Sequence, residues 1–246
     1  MRITTVSQLH DAVKGLLHEL GPKLYFRGQS DDHYSLTPSI GREQRLLSES
    51  RLLVTSVAEE QNLLHCFRRH TYEHHHRVLS QWESLFLARH HGLPTRLLDW
   101  TTNPLIALFF ACLAFKTEPA SDGGAIWVFS KRGAWMDDVD VFDPRDDPFG
   151  VSGVRILYPF NPSPRITAQS GVFTIQEDPR FDLRRLQDEP MPDCDIDRLT
   201  MLSIPEESKL SLLRELHRIG VHHRSVFPDL DGIAASIVTR TVLFPW

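Results

Sequence analysis

Residues 90–104 read His-His-Gly-Leu-Pro-Thr-Arg-Leu-Leu-Asp-Trp-Thr-Thr-Asn-Pro and lie between two apolar helical patterns. This feature constrains the chain most. Arg96, Asp99, Thr101 and Thr102 need partners wherever the packing of those helices buries them, because unpaired polar groups are costly inside a protein. The first pattern spans residues 80–90, with Trp82, Leu85, Phe86 and Ala88 as core candidates. The second spans residues 105–115. Asn103 can cap it and Pro104 fits its first position. Residues 104–115 form the longest apolar run, too short to span a bilayer. Cys112 within it is expected to be a small core residue.

Around this centre the pattern alternates between helix and strand. Val6–Leu20 has apolar residues at helical spacing and stops at Gly21-Pro22. Leu24-Tyr25-Phe26 predicts a short strand that ends at Arg27-Gly28. Residues 31–39 predict a loop, and residue 42 onward a long polar helix continuing to His70. Gly123-Gly124 leads into a strand over residues 125–129, and residues 135–153 look acidic and loop-like. Further strands are expected over 154–160, over 166–175 with a break near Ser170-Gly171, and over 200–204. Residues 178–197 read as surface, 205–219 as a helix, and 225–237 as the closing segment. No internal repeat or linker stands out. The expectation is a single α+β domain over residues 1–246.

Three cysteines at wide spacing give neither a disulfide framework nor a zinc cluster. The opening residues lack the apolar core of a signal peptide, so a reducing cytoplasm and no membrane association are expected. A formal net charge of -5 argues against a global field that draws nucleic acid, while leaving room for a local basic patch. His70 and His74 have metal-ligand spacing, yet no third ligand is evident, so they read as a solvated helix face and no metal is expected. Phe227-Pro228-Asp229-Leu230-Asp231-Gly232 reads as a turn into the last helix. P-loop, dinucleotide-fold and nucleophile-elbow motifs are absent from the sequence.

Three constellations can carry chemistry. In Phe26-Arg27-Gly28-Gln29 an arginine leaves an apolar strand, and its planar fork suits phosphate or carboxylate. Gly28 would let a ligand approach the backbone. The structural alternative is an ion pair between Arg27 and a core carboxylate such as Asp99. In the run 90–104, Asp99 can hold a donor or orient a base. The hydroxyls of Thr101 and Thr102 and the amides before the helix can hold an anion. In the third, residues 165–174, Gln169 sits in a strand-like context before Gly171, where it either bonds a ligand or satisfies a bulge.

Together Tyr25-Phe26-Arg27-Gly28-Gln29, residues 91–101, Gln169-Ser170-Gly171-Val172-Phe173-Thr174 and residues 225–233 resemble the FRG domain family, with a core over residues 24–237 behind an N-terminal helix. The order of parts is also similar, more distantly, to mono-ADP-ribosyltransferases. Phe26-Arg27-Gly28 matches their aromatic-Arg-Gly strand. Trp100-Thr101-Thr102 followed by Ala107-Leu108-Phe109-Phe110-Ala111 matches their later strand and helix. Where that family places a catalytic Glu, this chain has Gln169.

The resemblance implies a central, mostly antiparallel split sheet flanked by helices, with NAD as substrate. Catalytic roles then fall to Arg27, Asp99, Thr101 and Gln169, with Glu83 as another source of the acid. Gly28, Gln29, Tyr34, Arg96, Trp100 and Thr102 would join Arg27 in binding the dinucleotide, with Trp100 or Tyr34 stacking on nicotinamide. A toxin or antiphage effector is the implied biology. Its acceptor would be nucleic acid or protein, and an antitoxin or chaperone its partner. The competing expectations are a nucleotide or nucleic-acid binding module without turnover and a phosphodiester-cleaving enzyme using His90, His91 and Asp99. For the last, adjacent histidines on one element are expected to diverge.

Overall fold

The computed structural model describes residues 1–42, 44–45, 51–52, 56–113, 123–131, 147–159 and 163–244. The Thr5 side chain accepts from the amide of Gln8 and starts α1 (Val6–Leu20), and β1 (Leu24–Gln29) follows. Two short strands, β2 (Gln44–Arg45) and β3 (Arg51–Leu52), pair antiparallel where the sequence predicts the start of a helix. The helix begins later, as α2 (Val57–His75), because Ser56 and Glu59 close a capping box there. Residues 43, 46–50 and 53–55 lie outside the described set.

A second capping box, Ser80 with Glu83, opens α3 (Gln81–His90), and β4 (Leu97–Thr101) follows it. In α4 (Pro104–Cys112) the Asn103 carboxamide accepts from the amide of Leu105, and Pro104 stands in the first turn. Residues 114–115, expected in this helix, and most of the acidic segment 135–153 lie outside the described set. Then come β5 (Gly123–Lys131) and β6 (Val154–Leu157). The strand expected over 166–175 is instead α5 (Pro164–Ala168) followed by β7 (Gly171–Gln176). The Ser163 side chain accepts from the amide of Ile166 and Pro164 stands in the first turn, which favours a helix up to Gln169.

The chain ends in β8 (Ile196–Pro205), α6 (Glu206–Arg218), α7 (His223–Val226) and α8 (Leu230–Leu243). Asp229 caps α8 by accepting from the amide of Gly232. The segment 178–197 is not all surface, since Leu183, Cys194 and Ile196 are buried. No helix among the described residues is long and apolar enough to cross a membrane.

The main sheet has the order β6-β7-β4-β1-β5-β8, with every neighbouring pair antiparallel. One junction differs from the rest. β1 pairs with β5 along its whole length, from Leu24↔Ser130 to Gln29↔Ala125. β4 likewise pairs with β7 from Leu97↔Ile175 to Thr101↔Gly171. Between β1 and β4, however, the register holds only at Phe26↔Thr101. The sheet is therefore two well-laddered halves joined at a seam.

Each half has its own packing. Leu24 and Phe26 of β1 and Ile126 and Val128 of β5 face α1, α4 and α6 in one core. Leu97 of β4 and Phe173 and Ile175 of β7 face Leu64 of α2 and Trp82, Leu85 and Ala88 of α3 in another. The opposite sheet face packs Tyr25, Trp100, Trp127 and Phe129 into a third core. Cys112 is buried in the first, as expected of a small apolar residue.

Gly28 shows why α4 can sit so low on β1. A Cβ there would overlap the carbonyl oxygen of Ala107 and come within 2.7 Å of the amide nitrogen of Ala111. The glycine makes room for the backbone of α4.

Candidate functional site

A cleft of about 600 Å³ opens over the seam, walled by the end of α3 on one side and by Ile106 and Phe110 of α4 on the other. That volume lies within the range of small-molecule sites. The polar floor comes from β1 and β4, and Arg165 and Gln169 of the α5 segment close one end.

Arg27 spans the seam. By strand alternation it starts on the face opposite Phe26 and Gly28. Its Nη1 nevertheless donates to the backbone carbonyl of Asp99 at 2.6 Å and stands 3.7 Å from the Asp99 carboxylate. The ion pair weighed as the structural alternative is therefore present. Its Nε is buried with no hydrogen-bond partner among the described residues. Burial pulls the guanidinium down to about 10, with Arg42 and Arg89 adding to that and Asp99 opposing it.

Arg89, on the last turn of α3, grips Asp99 more fully than Arg27 does. Its Nε donates to both carboxylate oxygens at 3.1 Å and its Nη2 to Oδ2, while Nη1 donates to the Ser39 hydroxyl. Burial pushes the Asp99 carboxyl up, but Arg89 and then Arg27 pull it further down, below the usual carboxylate range. Asp99 is thus an anion held between Arg27 and Arg89. Among the described residues the cleft lining holds three arginines, Arg27, Arg89 and Arg165, and one carboxylate, Asp99.

His90 and His91 both line the cleft, with ring centroids 4.9 Å apart and planes at 89°. The expected divergence fails because α3 ends at His90 and the chain turns at His91. His90 Nδ1 lies 3.3 Å from the Ser163 hydroxyl. Burial lowers its pKa, His91 and Arg165 add to that, and Asp229 opposes it. Arg165 lies 4.3 Å from the ring centre of Phe227 and has no anionic partner among the described residues.

The structure brings Arg27, Gly28, Asp99, Trp100, Thr101 and Gln169 to this cleft, but several differ from their expected roles. The Trp100 indole donates to Thr174 Oγ1 at 3.0 Å and meets Phe129 edge-on, so its ring belongs to the core. Thr101 Oγ1 donates to the Gln169 carbonyl at 2.6 Å and accepts from the Asn103 amide at 3.0 Å, which makes it a turn-forming hydroxyl. Gln169 caps the end of α5 instead of riding a strand, and its Nε2 donates to the Val226 carbonyl at 3.3 Å.

The other expected site residues lie elsewhere. Arg96 is fully buried and bonded to Glu60 through Nε and Nη2, at distances from 2.7 to 3.1 Å. Gln29 is buried between the Trp127 indole, which donates to it, and the Ser35 carbonyl, which accepts from it. Tyr34 and Thr102 are not among the lining residues, and Thr102 is exposed. Glu83 is occupied by its capping box and by Arg77. Arg89, Arg165, Phe86 and Phe110 line the cleft without having been singled out as site residues from the sequence. For Arg89 the signal was its place directly before His90-His91-Gly92 at a helix end.

Residues 22–119 match the family model described as FRG domain. The match takes in Phe26-Arg27-Gly28 and the run 91–101, and it stops before Gln169 and the segment 225–233. No curated protein and no solved structure matches the chain.

Proposed function

We propose that this chain, with its FRG domain over residues 22–119, binds the pyrophosphate of a dinucleotide in the cleft and acts on NAD as an ADP-ribosyltransferase-like enzyme. The observation that supports this reading is the charge imbalance of the cleft lining, where Arg27, Arg89 and Arg165 stand against one carboxylate, Asp99, among the described residues. Buried cations without matching anions are costly, and a bound phosphate would supply the missing charge. Arg27 and Arg89 would hold the pyrophosphate, and Phe86 or Phe110 would receive the flat nicotinamide.

In this chemistry the bond between ribose C1′ and nicotinamide breaks, and the electron pair leaves with nicotinamide. The ribose then carries oxocarbenium character until an acceptor oxygen or nitrogen attacks C1′ and gives up its proton. Asp99 is the anion available to oppose that developing charge. His90, whose pKa is lowered by burial, would take the proton.

Titration calorimetry with NAD tests the reading, using Arg27→Lys as the control. Lysine keeps a charge but loses the planar fork. The expected result is saturable NAD binding, weakened at least about tenfold in the variant, a difference of about 1.4 kcal/mol. Equal binding by both proteins, or none by either, rejects it. A second reading is binding without turnover, favoured by the way Arg89 holds the cleft's one carboxylate. Release of free nicotinamide by the wild-type protein excludes it.

A further inference from the structure

Away from the seam, the end of α6, α7 and α8 enclose an open groove of about 710 Å³ lined by His217, His222, Arg224, Ser225, Arg240 and Phe244 among others, with no carboxylate among the described lining residues. Arg224 and Arg240 are exposed, and neither guanidinium has a hydrogen-bond or ion-pair partner among the described residues. Two of the acids near in sequence are engaged elsewhere, and Asp231 is not among the lining residues. Glu215 accepts from the amide of Val6, and Asp229 caps the far end of α8. On a chain with a formal net charge of -5 this is a local concentration of positive charge.

The groove is also shaped for donors. His222 Nδ1 accepts from the Ser225 amide at 3.2 Å, which leaves its other ring nitrogen as the N–H donor. The His217 and His222 rings stand 5.2 Å apart, and His217 meets the Phe244 ring edge-on at the same separation. Cations beside an aromatic ring suit a phosphate followed by a stacked base. The groove is joined to the cleft through α7. The Val226 carbonyl accepts from Gln169, and the Phe227 ring lies under Arg165.

We propose that this groove binds the backbone of a single-stranded nucleic acid, and that the strand crosses α7 towards Arg165 at the rim of the cleft. The proposal stands on the groove itself and does not require NAD to be the ligand of the cleft.

The test is fluorescence anisotropy with a short, labelled, mixed-sequence oligonucleotide, run as RNA and as DNA. The comparison is between the full chain and the double variant Arg224→Glu, Arg240→Glu. Both side chains are exposed, so the variant is expected to keep its melting temperature. The expected result is binding that weakens with salt, by a slope of about -0.7 per phosphate contacted. The double variant should bind at least about tenfold more weakly. Equal oligonucleotide binding by the variant overturns the proposal. So does wild-type protein that binds inorganic pyrophosphate or an acidic peptide at these arginines but no oligonucleotide.

Discussion

The Arg27 guanidinium donates to the main-chain carbonyl of Asp99, at a place where a continuous sheet would have used a backbone amide. A side chain thus does the work of the ladder where β1 and β4 part, and the same guanidinium forms a wall of the cleft.

Asp99→Asn would leave Arg89 and Arg27 without their shared anion. The folded-state pKa of Asp99 is lowered, so its contribution is fully present above the ordinary carboxylate value of about 3.9 and fades as pH falls through the lower folded value. Urea denaturation at neutral pH should show the variant less stable by about 1–3 kcal/mol, the cost of losing charged hydrogen bonds. The gap should narrow as the pH drops below about 4. A gap that stays constant with pH would mean that the charge of Asp99 is immaterial.

The pair Arg96–Glu60 ties α2 to the start of β4, and both side chains are buried. Glu60→Ala should cost about 3–5 kcal/mol, because it strands a buried guanidinium. Arg96 is remote from the cleft lining, so any of this variant that stays folded should bind the cleft ligand normally. Loss of binding in folded protein would return Arg96 to the site.

Gly28→Ala should destabilise the protein by at least about 3 kcal/mol, since the new methyl would press on the main chain of α4. Thermal melting would detect this. A protein of wild-type stability with weaker ligand binding would show that the glycine serves the ligand after all.

For the reaction proposed here, a neutral His90 is the required form. Its pKa is lowered by burial, then by His91 and Arg165, so the acid limb of the rate profile should lie below the ordinary imidazole value of about 6.5. His90→Gln should remove that limb and reduce turnover about 100-fold or more. An unchanged pH profile would take His90 out of the chemistry.

Local signals in the sequence carried some of the helix starts. Asn103-Pro104 and the turn into the last helix at Asp229 follow from short-range hydrogen bonding, and the structure contains both. The polar run 90–103 supplies much of the cleft, which takes His90, His91, Asp99, Trp100 and Thr101 from it. What stayed hidden depends on distant partners. Nothing near Trp100 tells that Thr174 will take its indole proton, and nothing near Arg96 reveals Glu60. Gln169 was misplaced because Ile166, Val172 and Phe173 resemble a strand, while Ser163-Pro164 was the stronger signal for a helix start.

Because main-chain pairing between β1 and β4 is confined to Phe26↔Thr101, the width of the aperture is gauged by side chains. Arg27, Arg89 and Asp99 act as its spacers. Substitutions among these three can re-tune which molecules pass into the cleft while each half of the sheet keeps its own ladder and its own core.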